Sequence, residues 1–366
     1  MKPRVVRVVT TFGVGGVQKQ LTLVTPLLAE RGYKVTVLAL EGDGPLRATL
    51  EERGVRTAVL PMRGKYRLWE ILKLARWLTG ARCQILHVHR MGRVVFPAVM
   101  AGKIAGIKTI IVHHHFPYTW ESRRKRILES FATRLAKVVV GVSHHVVANT
   151  TRELGVSPQK TRRLYNGVQE AALLSPPAAR RELGLPQEPI VCGIVARIVY
   201  FKRIPDAVEA LGILRRRRKK VVMAVVGGGE PERIASIEKR AKEAGVASHL
   251  HLCGEVKNAA VLMRAFNLGM LVSTKEGLGN TVLEYWMAGL PLVATEIPPI
   301  KEMVSAGGIL VPPRSPGKIA KAIEAIASSP RLGGRLSREG KRRVKRFSVE
   351  NTAETTASLY DSLSTP

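Results

Sequence analysis

Twelve short runs of apolar, mostly β-branched residues punctuate this chain, and amphipathic stretches of helical period separate them. The first six are VVRVVTTF (5–12), KVTVLAL (34–40), TAVLPM (57–62), QILHVH (84–89), TIIVHH (109–114) and VVVGVS (138–143). Helical patterns such as Gln18–Glu30, Leu68–Thr79 and Trp120–Lys137 lie between them. A strand that is apolar throughout leaves no face for water. Separated by helices, such strands predict a parallel sheet covered on both sides. The alternation restarts with PIVCGIVA (189–196), VVMAVVGG (221–228), LHLCGE (250–255), GMLVST (269–274), LPLVATE (290–296) and GGILVPP (307–313). The changeover is expected near the Pro-rich, polar SPPAARRELGLPQEP (175–189). The fold class that follows is α/β: two Rossmann-like, doubly wound domains, 1–180 and 187–347, with a cleft between their strand ends. A chain of 366 residues also exceeds what one core usually fills. A last helical pattern spans Val349–Leu363.

Charge narrows the partners. The chain carries 59 Lys/Arg against 28 Asp/Glu, a formal net charge of +31. Residues 1–186 hold 31 of those basic residues and 11 of the acidic ones. Such a field attracts polyanions: nucleic acid, an anionic membrane face or a phosphorylated substrate. Aspartate is scarce, with only Asp43, Asp206 and Asp361 and no Asp-x-Asp pair. A divalent cation on a diphosphate usually needs clustered carboxylates, so no metal is expected, and Arg, Lys and backbone amides must hold any diphosphate. Cys83, Cys192 and Cys253 are far apart and odd in number, which fits a reducing compartment and excludes a Cys-rich zinc site. No apolar run is long enough to span a bilayer. The N-terminus reads as a strand rather than a signal peptide, so a cytoplasmic protein is expected.

Three motifs carry chemistry. GVGGVQKQL (13–21) follows the first strand, and Gly15 and Gly16 let backbone approach a ligand at a helix start, where unpaired N–H groups favour an anion. The spacing is not the dinucleotide fingerprint, and a tight strand–helix turn is the plainer alternative. ARIVYFKR (196–203) offers Arg197 as a fork and Lys202 as a point charge for phosphate oxygens, against the alternative of incidental charge in a basic chain. EGLGNTVLEYWMAGLPLVATE (276–296) places Glu276 and Glu284 eight positions apart, with Gly277 and Gly279 reading as a flexible loop and Thr281–Met287 as the start of a helix. Along a helix that is roughly 12 Å, too wide for the carboxylate pair of a double-displacement glycosidase, about 5–5.5 Å apart. The two carboxylates therefore serve different parts of one ligand.

These residues resemble a family. EGLGNTVLE with AGLPLVAT is similar to the E-x7-E signature of glycosyltransferase family 4, retaining enzymes of the GT-B fold. The likeness extends through GGVQ, the stretch 140–169 ending in Asn-Gly-Val, GIVARIVYFKR (with Ala196 where Gly is commoner), VVGGGE, LCGEV and GGILVPPRSPGKIAKAI. It implies a cytoplasmic enzyme that moves a sugar from a nucleotide-diphosphate donor to a hydroxyl acceptor in glycolipid, lipopolysaccharide or polysaccharide biosynthesis, a UDP-sugar favoured over a GDP- or ADP-sugar. Arg197 and Lys202 would bind the diphosphate, with Gly15, Gly16 and Thr281. Glu276 and the segment Gly277, Leu278, Gly279 and Asn280 would hold the sugar. Glu284 would accept from the ribose, and Glu255 and Val256 would contact the base. His114, or His113 beside it, would lie near the donor sugar, and helix 348–366 would pack back on the first domain.

Three adjacent histidines, His113–His115, cannot all face one metal, and no Asp or Cys accompanies them. His87 and His89 alternate to one strand face and read as core. Two basic amphipathic segments, 64–82 and 120–137, suit either a solvated helix face or anionic lipid. Arg215–Lys220 reads as an exposed basic turn. A lipid-linked or otherwise anionic acceptor is thus expected at a membrane face, with peripheral attachment. Two rival classes remain: a sugar-nucleotide epimerase of the same architecture, and a non-enzymatic polyanion binder. No aromatic-interleaved basic strand suggests specific nucleic-acid binding.

Overall fold

The computed structural model describes residues 2–64, 67–90, 94–118 and 122–364. Parts of both basic segments, Lys65, Tyr66, Trp120 and Glu121, lie outside these residues, as do Thr365 and Pro366. The chain divides into two compact units: residues 1–167 with 348–366, and residues 168–347.

Unit 1 is built on seven strands: β1 (Arg4–Thr11), β2 (Lys34–Gly42), β3 (Arg56–Val59), β4 (Ile85–Arg90), β5 (Thr109–His114), β6 (Val138–Gly141) and β7 (Thr161–Arg163). Every pairing is parallel, in the order β3-β2-β1-β4-β5-β6-β7. Helices cover both faces. Val6, Val8, Leu86, Val88, Ile110 and Val112 pack under helices Leu68–Gly80 and Val95–Ile104. Val5, Ile85 and Ile111 pack on the other face under helices Gly16–Glu30 and Val349–Ser364. Burying each such side chain contributes about 1.5–3 kcal/mol. The strand β7, TRR, was not anticipated. It is an edge strand with exposed arginines and lacks the apolar run that marks its neighbours.

Unit 2 repeats the plan with β8 (Ile190–Val195), β9 (Val221–Val226), β10 (Leu250–Leu252), β11 (Leu268–Leu271), β12 (Leu292–Thr295) and β13 (Ile309–Val311). Their order is β10-β9-β8-β11-β12-β13, again parallel throughout. The expected α/β class with two Rossmann-like sheets is therefore what the chain forms. The changeover is corrected from 175–189 to Gly167/Val168. The Pro-rich segment belongs to unit 2: Leu174 N–H donates to the Val261 carbonyl at 3.0 Å, and buried Arg180 donates to the Ala265 carbonyl at 3.0 Å. Proline content marked a turn, while these bonds decide which core the turn joins.

In both sheets the strand order reverses about the first strand, at β1/β4 and at β8/β11. The crevice outside the carboxyl ends of those strands is where open α/β sheets bind ligands.

Candidate active site

In unit 2 the loops after β8 and β11 meet at that switch point. Lys202 ends a short 3-10 turn, Tyr200–Lys202, and its Nζ donates to Glu276 Oε1 at 2.6 Å, both side chains being largely buried. The loops are also joined through backbone: Thr274 N–H donates to the Phe201 carbonyl at 2.8 Å. Beyond Lys202, Arg203 adopts a left-handed conformation, φ 52°, and its Nε donates to buried Asp206 at 2.9 Å, fixing the loop's exit into helix Ile204–Arg216. Arg197 is exposed and makes no ion pair among the described residues. The structure thus joins Lys202 to Glu276 and leaves Arg197 facing solvent from the same loop.

Glu276, Gly277, Leu278 and Gly279 are buried, and the helix starts only at Asn280. Glu276 is therefore in the loop, and the helical 12 Å separation from Glu284 does not apply. Gly279 has φ 94°, and a Cβ there would lie 2.6 Å from Ile300 Cδ1, so only glycine fits. No side chain caps helix Asn280–Met287 and no acidic residue sits in its first turn, so its amide end keeps its positive character. Thr281 Oγ1 donates to the Val195 carbonyl at 3.3 Å. Glu284 is half-buried, one turn further on.

The anchors of this helix were missed in the sequence. Tyr285, fully buried, accepts from Val195 N–H at 2.8 Å and donates to the Gly193 carbonyl at 3.0 Å, tying the helix to β8. Trp286, also fully buried, donates to the Gly307 carbonyl at 2.9 Å. Two large aromatics adjacent inside an eight-residue helix were the available signal. Glu255, exposed after β10, occupies the space that a Gly228 side chain would fill, and Val256 is half-buried beside it. Gly227, φ 139°, would place a Cβ 2.1 Å from the Ala196 carbonyl oxygen, so the ends of β8, β9 and β10 approach through glycine.

In unit 1, Gly15 and Gly16 open helix Gly16–Glu30, whose first turn has no acidic residue and no side-chain cap. Gly15 is extended, and only the Gln18 side chain approaches it. His114 is fully buried. Its Nδ1 lies 3.1 Å from the Tyr118 hydroxyl, which donates to Glu129 at 2.8 Å, and Arg90 donates to the same carboxylate at 2.8 Å. His114 Nε2 has no partner among the described residues.

The opposite strand face carries a polar layer that separate reading of each motif did not assemble. Register places Arg7 beside His87 and His89 beside His113. Arg7 Nε donates to His89 Nε2 at 3.2 Å, His89 Nδ1 meets His115 Nε2 at 2.9 Å, and His87 bridges the Tyr360 hydroxyl (2.7 Å) and His113 Nδ1 (3.3 Å). Burial pulls the histidines well below their ordinary values, His115 to about 3. Ligand atoms of His87, His89 and His113 lie within 4.8 Å of one another, a spacing that a metal ion fits and that the reading of His87 and His89 as core did not foresee.

Two family models match this chain: Glycosyltransferase Family 4 over residues 14–171 and Glycosyl transferases group 1 over residues 176–343. The chain is a GT-B glycosyltransferase. It is 23% identical over 309 residues to the lipopolysaccharide core biosynthesis mannosyltransferase LpsB of Rhizobium meliloti, covering 81% of this chain and 84% of that protein. It is 25% identical over 219 residues to Bacillus subtilis EpsD, of whose length the match spans about half (53%). In fold, the glycosyltransferase resembles Anabaena Alr3699/HepE, solved in complex with UDP and glucose, with a TM-score of 0.87 at 18% identity, covering 98% of this chain and 100% of that one. No helix among the described residues is long and apolar enough to cross a membrane.

Proposed function

We propose that this glycosyltransferase moves a sugar from a nucleotide-diphosphate donor, a UDP-sugar favoured, to a hydroxyl acceptor with retention at the anomeric carbon and without a metal. The observation that carries the reading is the Lys202–Glu276 pair at the unit 2 switch point, beside an uncapped helix start. A cation, a carboxylate and the positive end of a helix at one place suit a diphosphate and a polyhydroxyl group joined by a single bond. Structures of HepE with UDP-glucose add support for the donor class.

In this mechanism Lys202 and Arg197 take the diphosphate oxygens, with Thr281 and the amides near Asn280. Glu276, released from Lys202, accepts from sugar hydroxyls beside Gly277, Leu278 and Gly279. Glu284 accepts from the ribose, and Glu255 with Val256 borders the base. The bond from C1 to the diphosphate oxygen breaks as positive charge grows on the sugar, and the cations and amides stabilise the departing charge. The acceptor oxygen bonds to C1 on the leaving-group face, and its proton passes to the departing diphosphate. No enzyme nucleophile is used. His114, held at Nδ1 by Tyr118, offers only Nε2 and serves to orient the sugar.

The acceptor is proposed to be lipid-linked or anionic, for glycolipid, lipopolysaccharide or polysaccharide assembly at the cytoplasmic face of a membrane. Helix Leu68–Gly80 exposes Leu68, Trp69 and Leu72, and helix Arg123–Leu135 exposes Ile127 and Phe131 behind Arg123–Arg126. Apolar rings beside basic groups suit an anionic interface. Replacing Arg123, Arg124, Lys125 and Arg126 together should release the protein from anionic vesicles. Equal indifference to neutral and anionic vesicles at low salt overturns this part.

A thermal-shift panel of UDP, GDP and ADP sugars tests the donor. A bound donor at 100 times its Kd adds about 2.7 kcal/mol. Product analysis with acceptor present and absent then separates transfer from epimerisation. Activity that vanishes in EDTA and returns with magnesium or manganese overturns the metal-free mechanism.

A further inference from the structure

One face of the unit 1 sheet changes character along its length. It is apolar at Val5, Ile85 and Ile111, then polar at Arg7, His87, His89, His113 and His115 toward the strand ends. Arg7 is buried, and its hydrogen bonds go to His89 and to Thr25 Oγ1 at 2.9 Å, both neutral groups. Among the described residues no carboxylate pairs with it. The Tyr360 phenol acts on it electrostatically, but burial raises that phenol to about 12 and so keeps it neutral. A buried guanidinium without a counter-charge is strongly unfavourable, and something must balance it.

The hydrogen bonds fix the proton positions. Arg7 Nε–H donates to His89 Nε2, so the His89 proton is on Nδ1 and is given to His115 Nε2. The His115 proton is then on Nδ1, which is buried and has no partner among the described residues. Among the described residues His113 Nε2 is also buried without a partner. His115 is the partly exposed member, so the layer reaches solvent there, at the carboxyl end of β5. Metal spacing exists in His87, His89 and His113, but the His89 Nε2 lone pair is spent on Arg7, and a dication would add charge to a site already one positive charge in excess.

We propose that Arg7 and the histidine layer of unit 1 form a binding site for a small anionic group, phosphate or carboxylate, received beside His115. Such a group would neutralise Arg7 and take the orphan His115 N–H. The site uses neither Lys202, Arg197, Glu276, Glu284 nor His114, and it stands or falls independently of transferase activity.

The test is isothermal titration of the full chain with inorganic phosphate at constant ionic strength, with acetate as the carboxylate arm, chloride as control and zinc chloride as the metal arm. Because Lys202 is expected to take phosphate elsewhere, the titrations use Lys202→Ala as the parent. Adding Arg7→Met or His115→Ala should weaken the anion about 10- to 100-fold, the loss of one charge-assisted bond. Arg7→Lys should retain more affinity than Arg7→Met. If Arg7→Met does not fold, His115→Ala carries the same reading. Phosphate and acetate affinities unchanged in these variants overturn the proposal. So does zinc binding that His113→Ala abolishes while the anions do not bind.

Discussion

In unit 2, a lysine from the loop after β8 meets a carboxylate from the loop after β11 at 2.6 Å. In unit 1, the corresponding crevice after β1 and β4 opens beside an arginine and four imidazoles, with no carboxylate among them. The strand order is the same in both, apart from the added edge strand β7 of unit 1. One switch point pairs a cation with a carboxylate. The other holds an excess positive charge and a set of bases kept neutral chiefly by burial, with the Arg7 charge acting in the same direction. Equal topology thus leaves the electrostatics free, and the two units should respond differently to acid, to core truncation and to loss of a single charge.

Acid should separate them most. In the unfolded chain an imidazole takes a proton near pH 6.5. Burial holds His87, His89, His113 and His114 well below that in the fold, and His115 at about 3. Stability from these groups is therefore full above about pH 6.5. It is lost as pH falls, by about 1.4 kcal/mol per pH unit for each histidine until its folded value is reached. Unit 2 holds only the more exposed His249 and His251. Urea unfolding at pH 7.5 and 5.0, read by peptide-resolved hydrogen exchange, should show β4 and β5 losing several kcal/mol while β8 and β11 keep most of theirs. Parallel losses in both units would erase the contrast.

Trp286→Ala should act on unit 2 alone, costing about 3–5 kcal/mol for a fully buried indole. A thermal transition of β8–β13 that moves down while unit 1 holds is the expected record. Lys202→Ala should weaken donor binding or turnover by about 1.5–3 kcal/mol with the fold intact. It should also be non-additive with Glu276→Gln, because each change removes the other's partner. Additive effects within about 0.3 kcal/mol would mean the pair is incidental. Glu284→Ala should be the mildest, about 1 kcal/mol in donor affinity, since its half-buried carboxylate keeps some solvent. Parent-like donor affinity and turnover in both Lys202→Ala and Glu284→Ala would remove the donor site from this loop and helix.

Much of this was legible before any coordinates. A run such as VVMAVV can satisfy its side chains only between two covering layers, and a helix-length stretch must return the chain for the next parallel strand. Two sheets and their helices therefore follow from pattern alone, and so does the loop that holds Glu276, because Gly277 and Gly279 break the apolar rhythm where β11 ends. The strand TRR stayed invisible because an edge strand needs no apolar run. The boundary at 175–189 misled because composition reports a turn but not its docking partner.

What only the tertiary structure decided is which strands are neighbours and what their faces then share. His87 and His113 are far apart in sequence, and Tyr360 is farther still, yet pairing β4 with β5 beneath the last helix puts them in one hydrogen-bonded chain. Arg7 within VVRVV was a visible break in an apolar strand, on the same alternating face as Val5, but its lack of a carboxylate belongs to the packed layer and not to the strand. Lys202 and Glu276 likewise meet because β8 and β11 are adjacent in the sheet. Periodicity is a property of a residue and its near neighbours, so a sequence carries it directly. Charge balance is a property of everything within a few ångströms, and that company is assembled only when the chain folds.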